Sequence, residues 1–304
     1  MPELPEVEHC ARQLRRWLEG HIIERAEADP TRLLRGKTTP RSFAKALSGR
    51  TVVNVQRRGK HLLLQLDDDR CLLAHLGMSG KWVRRSAADP APRSSRARLF
   101  LSDSSVLHDV DPRMFGVLMI VPKDKLAKLP ELRDLGPDPL TDRVDADVLR
   151  AVFGTSRSPI KVLLMDSSVI AGLGNIQATE ALFRARIHPA RPASSLTQEE
   201  LTRLAKGITA SIRHTLAAQG PDEEIVYLSE RRGASNPFLA YGRAREPCPR
   251  CKTPLLSVTL GGRTTVYCPR CQPLSPPLPH RERGSGGEAS GGQATRSAPR
   301  RARG

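Results

Sequence analysis

The chain has 304 residues, long enough for two domains and a sizeable core. Its 49 Lys and Arg stand against 32 Asp and Glu, a net charge of +17, which points to a polyanionic partner, nucleic acid ahead of an acidic membrane. No apolar run approaches the roughly 20 residues of a membrane span, the acidic, amphipathic start is unlike a secretory signal, and aromatics at 4% are scarce for a surface that stacks many bases.

The chain opens Met1-Pro2-Glu3-Leu4-Pro5-Glu6. Removal of Met1 would expose the secondary amine of Pro2. An α-amino group has a reference pKa of about 8, so it supplies neutral, nucleophilic amine near neutral pH, and such an amine condenses with an aldehyde to a Schiff base. Glu3 and Glu6 place carboxylates beside it for positioning and proton transfer. On this segment alone the plainer reading is a helix entry, since Pro and Glu are both favoured in a first turn. From Leu4 onward the apolar residues Leu4, Val7, Ala11, Leu14 and Leu18 fall three or four apart, which predicts one apolar helical face ending near Gly20. Trp17 lies next to that stripe and reads as core.

Residues 51–66 read as two strands, TVVNVQRR and KHLLLQL, parted at Gly59. Lys60 follows that glycine, where a lysine is ordinarily a solvated charge. A third strand at 71–76 leads into Gly77-Met78-Ser79-Gly80. The flanking glycines suggest a tight loop presenting Met78, although a methionine is more often a buried gap-filler. Residues 85–96 read as a loop, strands follow at 97–101 and 105–110, and Asp111-Pro112-Arg113-Met114-Phe115-Gly116 closes the β-rich half.

Residues 123–144 read as a Pro-, Lys- and Asp-rich hinge holding a short helix. Helices are predicted over 145–153, 159–166, 176–186 and 197–218, with Lys161 on the second. Asn175 follows Gly172-Leu173-Gly174 and is placed as the N-cap of the third. Two helices joined by a glycine-bearing turn suggest a helix–turn–helix variant, whose free amides suit phosphate. A loop follows at 221–246, with Tyr241 a phosphate contact or an edge tyrosine.

Cys248-Pro-Arg-Cys251 and Cys268-Pro-Arg-Cys271 are 16 residues apart. This is tetrathiolate zinc spacing, and a closed four-sulfur site is structural because no position remains for water or substrate. Cys10 and Cys71 read as packing residues. Residues 255–267 read as a β-hairpin with Arg263 near its tip, on spacing alone a solvated turn arginine. From Pro273 onward the chain is Pro-, Gly-, Ser- and Arg-rich and reads as disordered. That tail carries +4, so the remainder still holds about +13 and the basic character is not a tail artefact.

Six phrases occur in order: MPELPEVE, QRRGKHLLL at 56–64, HLGMSG at 75–80, DPRMFG at 111–116, AGLGNIQATEALF at 171–183 and CPRC…CPRC. Over roughly residues 1–272 the chain resembles the formamidopyrimidine-DNA glycosylase family, bacterial base-excision enzymes related to endonuclease VIII. The resemblance implies an α+β fold: an N-terminal β-sandwich with a leading helix over 1–122, a hinge at 123–144, a helix–two-turn–helix domain over 145–235, a zinc-ribbon hairpin over 236–272 and a basic tail over 273–304. It implies a bifunctional glycosylase and abasic-site lyase, removing 8-oxoguanine and formamidopyrimidines by attack of Pro2 on the sugar, with Glu3 and Glu6 assisting, Lys60 at the catalytic centre contacting DNA phosphate near the lesion, and β,δ-elimination following.

Enzymes acting on a base take it out of the stack, and apolar wedges fill the gap. By the resemblance Met78 and Phe115 do so and Arg113 meets the orphaned partner base. His75, Lys161, Asn175, Tyr241 and Arg263 are the remaining DNA-binding residues. Met114 stands where a second arginine is expected, and the 221–246 loop, which covers the extruded base in the family, departs in length and composition. One structural zinc, a damaged duplex as partner, a monomer and a bacterial cytoplasmic, nucleoid-associated setting complete the expectation. The rivals are an endonuclease VIII-like preference for oxidised pyrimidines and a catalytically silent zinc-ribbon DNA binder.

Overall fold

The computed structural model describes residues 2–220, 224, 225, 227 and 236–274. The disordered-tail reading beyond residue 274 and most of the covering-loop reading at 221–235 lie outside the described residues.

Helix α1 spans Leu4–Leu18 and buries all five stripe residues; the chain leaves it through Gly20, with Trp17 half-buried against the same core. Strands β1 (Ile22–Ala28), β2 (Arg50–Arg58), β3 (His61–Leu66), β4 (Arg70–His75), β5 (Lys81–Ser86), β6 (Ser95–Leu101), β7 (Ser105–Val110) and β8 (Val117–Pro122) follow, with α2 (Pro40–Leu47) between β1 and β2. They pair antiparallel in the order β5-β7-β6-β1-β2-β3-β4-β8. The join between β1 and β2 is only Ile22 with Thr51 and Ile23 with Arg50. So narrow a seam lets two four-stranded halves face each other. Val55, Leu62 and Leu72 from one half meet Trp82, Leu99 and Leu107 from the other in one cluster with Leu14 and Leu18 of α1. Each fully buried leucine there contributes about 2 kcal/mol.

No element is predicted from sequence over 21–50, 81–84 or 117–122, so β1, α2, β5 and β8 are additions. IIERAEA and KWVRRS carry charges on their open faces, which masks a strand. The predicted 85–96 loop is shorter, because its ends belong to β5 and β6.

The predicted hinge holds a 3₁₀ turn at Lys123–Lys128 and the short helix α3 (Pro130–Arg133). Helices α4 (Ala146–Phe153), α5 (Ile160–Met165), α6 (Asn175–Ala185) and α7 (Gln198–Ala217) share a second core. Hairpin strands β9 (Leu256–Leu260) and β10 (Arg263–Tyr267) sit over a third, built from Phe183, Ala240, Leu255, Val266 and the cysteines.

Arg57 of β2 ties these parts together. It pairs with Asp138 of the hinge segment through Nη2 at 3.1 Å and with Glu8 of α1 at 2.9 Å, and the Arg57 and Asp138 side chains are sealed from water. Asp138 also accepts the Gly59 and Leu140 amides at 2.8 and 3.0 Å. Removing one partner of so buried a pair costs about 3–5 kcal/mol. Among the described residues no helix is long and apolar enough to cross a membrane.

Candidate active site

The N-terminus meets the start of α6. The buried Glu3 carboxylate accepts the amides of Gly174 at 3.0 Å, Ile176 at 2.8 Å and Gln177 at 2.9 Å. These are donors that a helix start leaves without intrahelical partners, at the positive end of its dipole. Gly174 is obligatory: a Cβ there would stand 2.4 Å from the Glu3 carboxyl. The Leu4 amide donates to Gly172 O at 2.9 Å, so Pro2, buried, is carried on a segment fixed at the two residues that follow it, Glu3 and Leu4.

Glu3 overturns one expectation. Gly174, not Asn175, is the N-cap residue, and Asn175 is the first residue of α6. Capping comes from a carboxylate 171 to 174 residues away in the chain, which frees the Asn175 side chain. Its Nδ2 donates to Thr264 O of β10 at 3.1 Å, and its Oδ1 accepts from Lys161 Nζ at 2.6 Å. Lys161 is wholly buried and also donates to Asn175 O and Thr179 Oγ1, both at 2.9 Å. Burial lowers its pKa to about 8 against the pull of Glu3. Its three protons are spent inside the protein, so it reaches a ligand only through Asn175.

Glu6 accepts the Glu3 amide at 2.9 Å. Burial first, then the charge of Glu3, push its pKa up to about 7. Lys60, in the β2–β3 turn, donates to Leu173 O at 2.9 Å. Burial lowers its pKa while Glu3 and Glu6 oppose that shift. The solvated-charge reading of Lys60 therefore fails: one amine and two carboxyls share the buried end of α1.

A second buried carboxylate, Glu180, was missed. It accepts the amides of Leu239, Ala240 and Tyr241 at 3.0, 2.8 and 3.0 Å, which fixes the turn carrying Tyr241. Burial raises the Tyr241 hydroxyl pKa, and the charge of Glu3 adds to it. Arg263 stands exposed at the start of β10.

Met78, Arg113 and Phe115 gather at another carboxylate the sequence did not single out. Asp111 is fully buried and accepts Ser79 Oγ at 3.0 Å, the Arg113 amide at 3.1 Å and the Gly116 amide at 2.8 Å. It thus joins the Met78 loop to the Arg113–Phe115 loop. The two loops touch backbone to backbone, since a Cβ on Gly77 would come within 2.4 Å of Phe115 C. Phe115 is 45% exposed and Arg113 exposed, while Met78 is half-buried. An apolar ring held open to water on a rigid loop is unfavourable alone and suits insertion into a base stack. His75 Nδ1 accepts the Gly77 amide at 3.0 Å, which leaves the ring proton on Nε2. Burial, then His61 and Lys60, lower its pKa to about 4. It is a neutral donor at pH 7.

The sulfurs of Cys248, Cys251, Cys268 and Cys271 lie within 4.8 Å of one another. Four thiolates around one zinc at about 2.3 Å stand about 3.8 Å apart, so the cluster fits a structural zinc with small adjustment. The Cys271 amide donates to Cys268 Sγ at 3.3 Å, a bond that favours thiolate. The zinc would fix the hairpin whose Thr264 carbonyl holds Asn175.

Comparison with known proteins agrees over the same span. Residues 1–118 match the family described as "Formamidopyrimidine-DNA glycosylase N-terminal domain", 135–224 its H2TH domain, and 245–274 the "Zinc finger found in FPG and IleRS". The formamidopyrimidine-DNA glycosylase of Geobacillus kaustophilus is 38% identical over 274 residues, 90% of this chain and all of that one. That of Moorella thermoacetica is 41% identical over 257 residues, 84% of this chain and 93% of that one. Among solved structures, the Lactococcus lactis enzyme bound to abasic-site DNA aligns with a TM-score of 0.78 at 28% identity, covering 89% of this chain and 99% of that one. The Thermus thermophilus MutM protein aligns at 0.75 and 35% identity, covering 90% and 100%. With three family segments in order and near-complete coverage of its relatives, the chain belongs to the formamidopyrimidine-DNA glycosylase family.

Proposed function

We propose that this protein is a base-excision repair DNA glycosylase and abasic-site lyase that removes 8-oxoguanine and formamidopyrimidines from duplex DNA through a Schiff base on Pro2. The observation that carries the reading is the Glu3 carboxylate seated on the α6 amides, which anchors the residue next to Pro2. The Pro2 nitrogen attacks C1′, the bond from C1′ to the base breaks, and the base leaves with a proton. Opening of the sugar at O4′ needs a further proton, and loss of the nitrogen's proton gives the iminium. Glu3 assists proton transfer around the sugar ring. Glu6, with its pKa near 7, exchanges a proton at working pH and holds the N-terminus. The iminium acidifies the C2′ proton, and successive eliminations cut both flanking phosphate bonds. Lys60 contributes positive charge beside this centre.

Met78 and Phe115 fill the gap left by the extruded nucleotide and Arg113 meets the orphaned base. His75, Asn175, Tyr241 and Arg263 donate to backbone phosphate, with Lys161 acting through Asn175. The four cysteines hold structural zinc. We divide the chain at 122, 144, 235 and 272 as the sequence suggests. The basic tail adds salt-dependent affinity, and the setting is the bacterial cytoplasm at the nucleoid. Relatives of known structure carry abasic, formamidopyrimidine and oxidised-pyrimidine DNA; oxidised purines are the preferred class here, on the HLGMSG and MPELPE phrases.

The test is borohydride trapping on a duplex with 8-oxoguanine opposite cytosine, using protein whose intact mass shows Met1 removed. A covalent adduct is expected, with excision faster than from oxidised-pyrimidine duplexes. No adduct from processed protein would leave the silent DNA binder standing.

A further inference from the structure

The wedge loop is gripped from a second side, by a residue that nothing above assigns. Arg32, on the segment between β1 and α2, donates from Nε to Met114 O at 2.8 Å and from Nη2 to Arg113 O at 2.9 Å. Its guanidinium lies 5.1 Å from the Phe115 ring centre, and that of Arg113 lies 5.0 Å from the same ring. Arg32 is exposed, yet its stem is not loose. The next residues are strapped to the start of β8: the Leu118 amide donates to Leu33 O at 2.8 Å and the Arg35 amide to Leu118 O at 3.1 Å. Between the two gripped carbonyls, Met114 sits at φ +55°, a left-handed conformation that a non-glycine residue holds only when its surroundings impose it.

We infer that Arg32 is a positioning residue for strand insertion: its fork bonds the carbonyls of Arg113 and Met114 and presets Phe115 and Arg113 before DNA arrives. Asp111 holds the amides of the loop from the buried side, and Arg32 holds its carbonyls from the exposed side. A planar fork donates to two carbonyls in fixed directions, which an ammonium does not reproduce. Presetting lowers the ordering cost of insertion. The inference rests on the wedge reading given under Proposed function.

The experiment uses the full-length, zinc-loaded protein and a duplex with a tetrahydrofuran abasic analogue opposite cytosine, with 2-aminopurine stacked beside that cytosine. No chemistry is needed. Encounter is followed by anisotropy and insertion by the rise in 2-aminopurine emission. Arg32→Met and Arg32→Lys are each expected to slow the emission phase roughly tenfold, as loss of two hydrogen bonds would, with the encounter phase of Arg32→Lys unchanged; Arg32→Gln replaces Arg32→Met if that variant fails to fold. Full speed in Arg32→Lys would show that charge alone matters and overturn the inference, as would full speed in Arg32→Met. A wild-type protein that gives no emission rise overturns the wedge reading and this inference together; a normal wild-type rise with unaffected variants overturns this inference alone.

Discussion

The proposed catalytic end and the proposed wedge use one device at two ranges. At the catalytic end Glu3 gathers three amides more than 170 residues away. At the wedge Asp111 gathers amides two and five residues away and one hydroxyl from the neighbouring loop. Each buried carboxylate sets the backbone, and the backbone sets the working side chains. The difference lies in what each depends on. Asp111 preorganises a loop within one half of the chain, whereas Glu3 is satisfied only once the sandwich and the helical half have met.

The sharpest way to break this comparison is Glu3→Gln. The amide NH₂ would face backbone donors in a buried site, and proton transfer would be lost as well. Adduct formation should fall roughly 10³-fold or more, while affinity for an abasic-analogue duplex changes only a few-fold. Equal losses in both assays would show that the two regions are not separable. Asp111→Ala is next. It strands the buried Gly116 amide and the part-buried Arg113 amide and should cost about 2–4 kcal/mol in urea unfolding. It should also slow excision from a duplex with cytosine opposite the lesion, the base Arg113 is proposed to meet, yet leave trapping on a single-stranded abasic oligonucleotide within a few-fold.

Zinc removal probes a third region. A chelator should free the hairpin, release Asn175 from Thr264 O, and weaken duplex binding about 10- to 100-fold, by roughly the energy of a few charge-assisted contacts. Added zinc should restore it. Both tryptophans, Trp17 and Trp82, belong to the sandwich core, so their emission should not change; melting of that signal with zinc loss would merge the regions.

The smallest effect is at Glu6. Its folded pKa of about 7 lies above the ordinary glutamate value of 4.5. The stability it contributes is therefore fully present below pH 4.5 and is lost as pH rises through about 7. Glu6→Gln keeps an acceptor for the Glu3 amide and removes that dependence. The variant should gain about 1–3 kcal/mol relative to wild type between pH 5 and pH 8, read as a difference in thermal unfolding across pH. A flat difference would show that Glu6 does not titrate in the fold.

Much of this was legible in residue order. The three-and-four spacing of Leu4 to Leu18 placed α1, glycine after QRR placed the β2–β3 turn, and paired CPRC placed the zinc cluster. The start of α6 was legible at Asn175, but its capping group was not, because the carboxylate that serves it is that of the distant Glu3. Lys60 read as an ordinary surface charge because a turn lysine shows nothing of the carbonyl at Leu173 or of the two carboxyls beside it. The charged strands β1 and β5 went unread because one face meets water.

What the sequence by itself determined is what short-range rules encode: periodicity of an apolar face, ligand spacing for a metal, excess positive charge for a polyanion. What only the tertiary structure decided is which carboxylate serves which amides. Glu3 with α6, Glu180 with the Tyr241 turn, Asp138 with Arg57 and Arg32 with the wedge carbonyls are pairings between segments far apart in the chain. The energy of the first three comes from burying a carboxylate against its partners, the Arg32 fork works at the exposed surface, and no local pattern of residues carries that information before the segments are folded together.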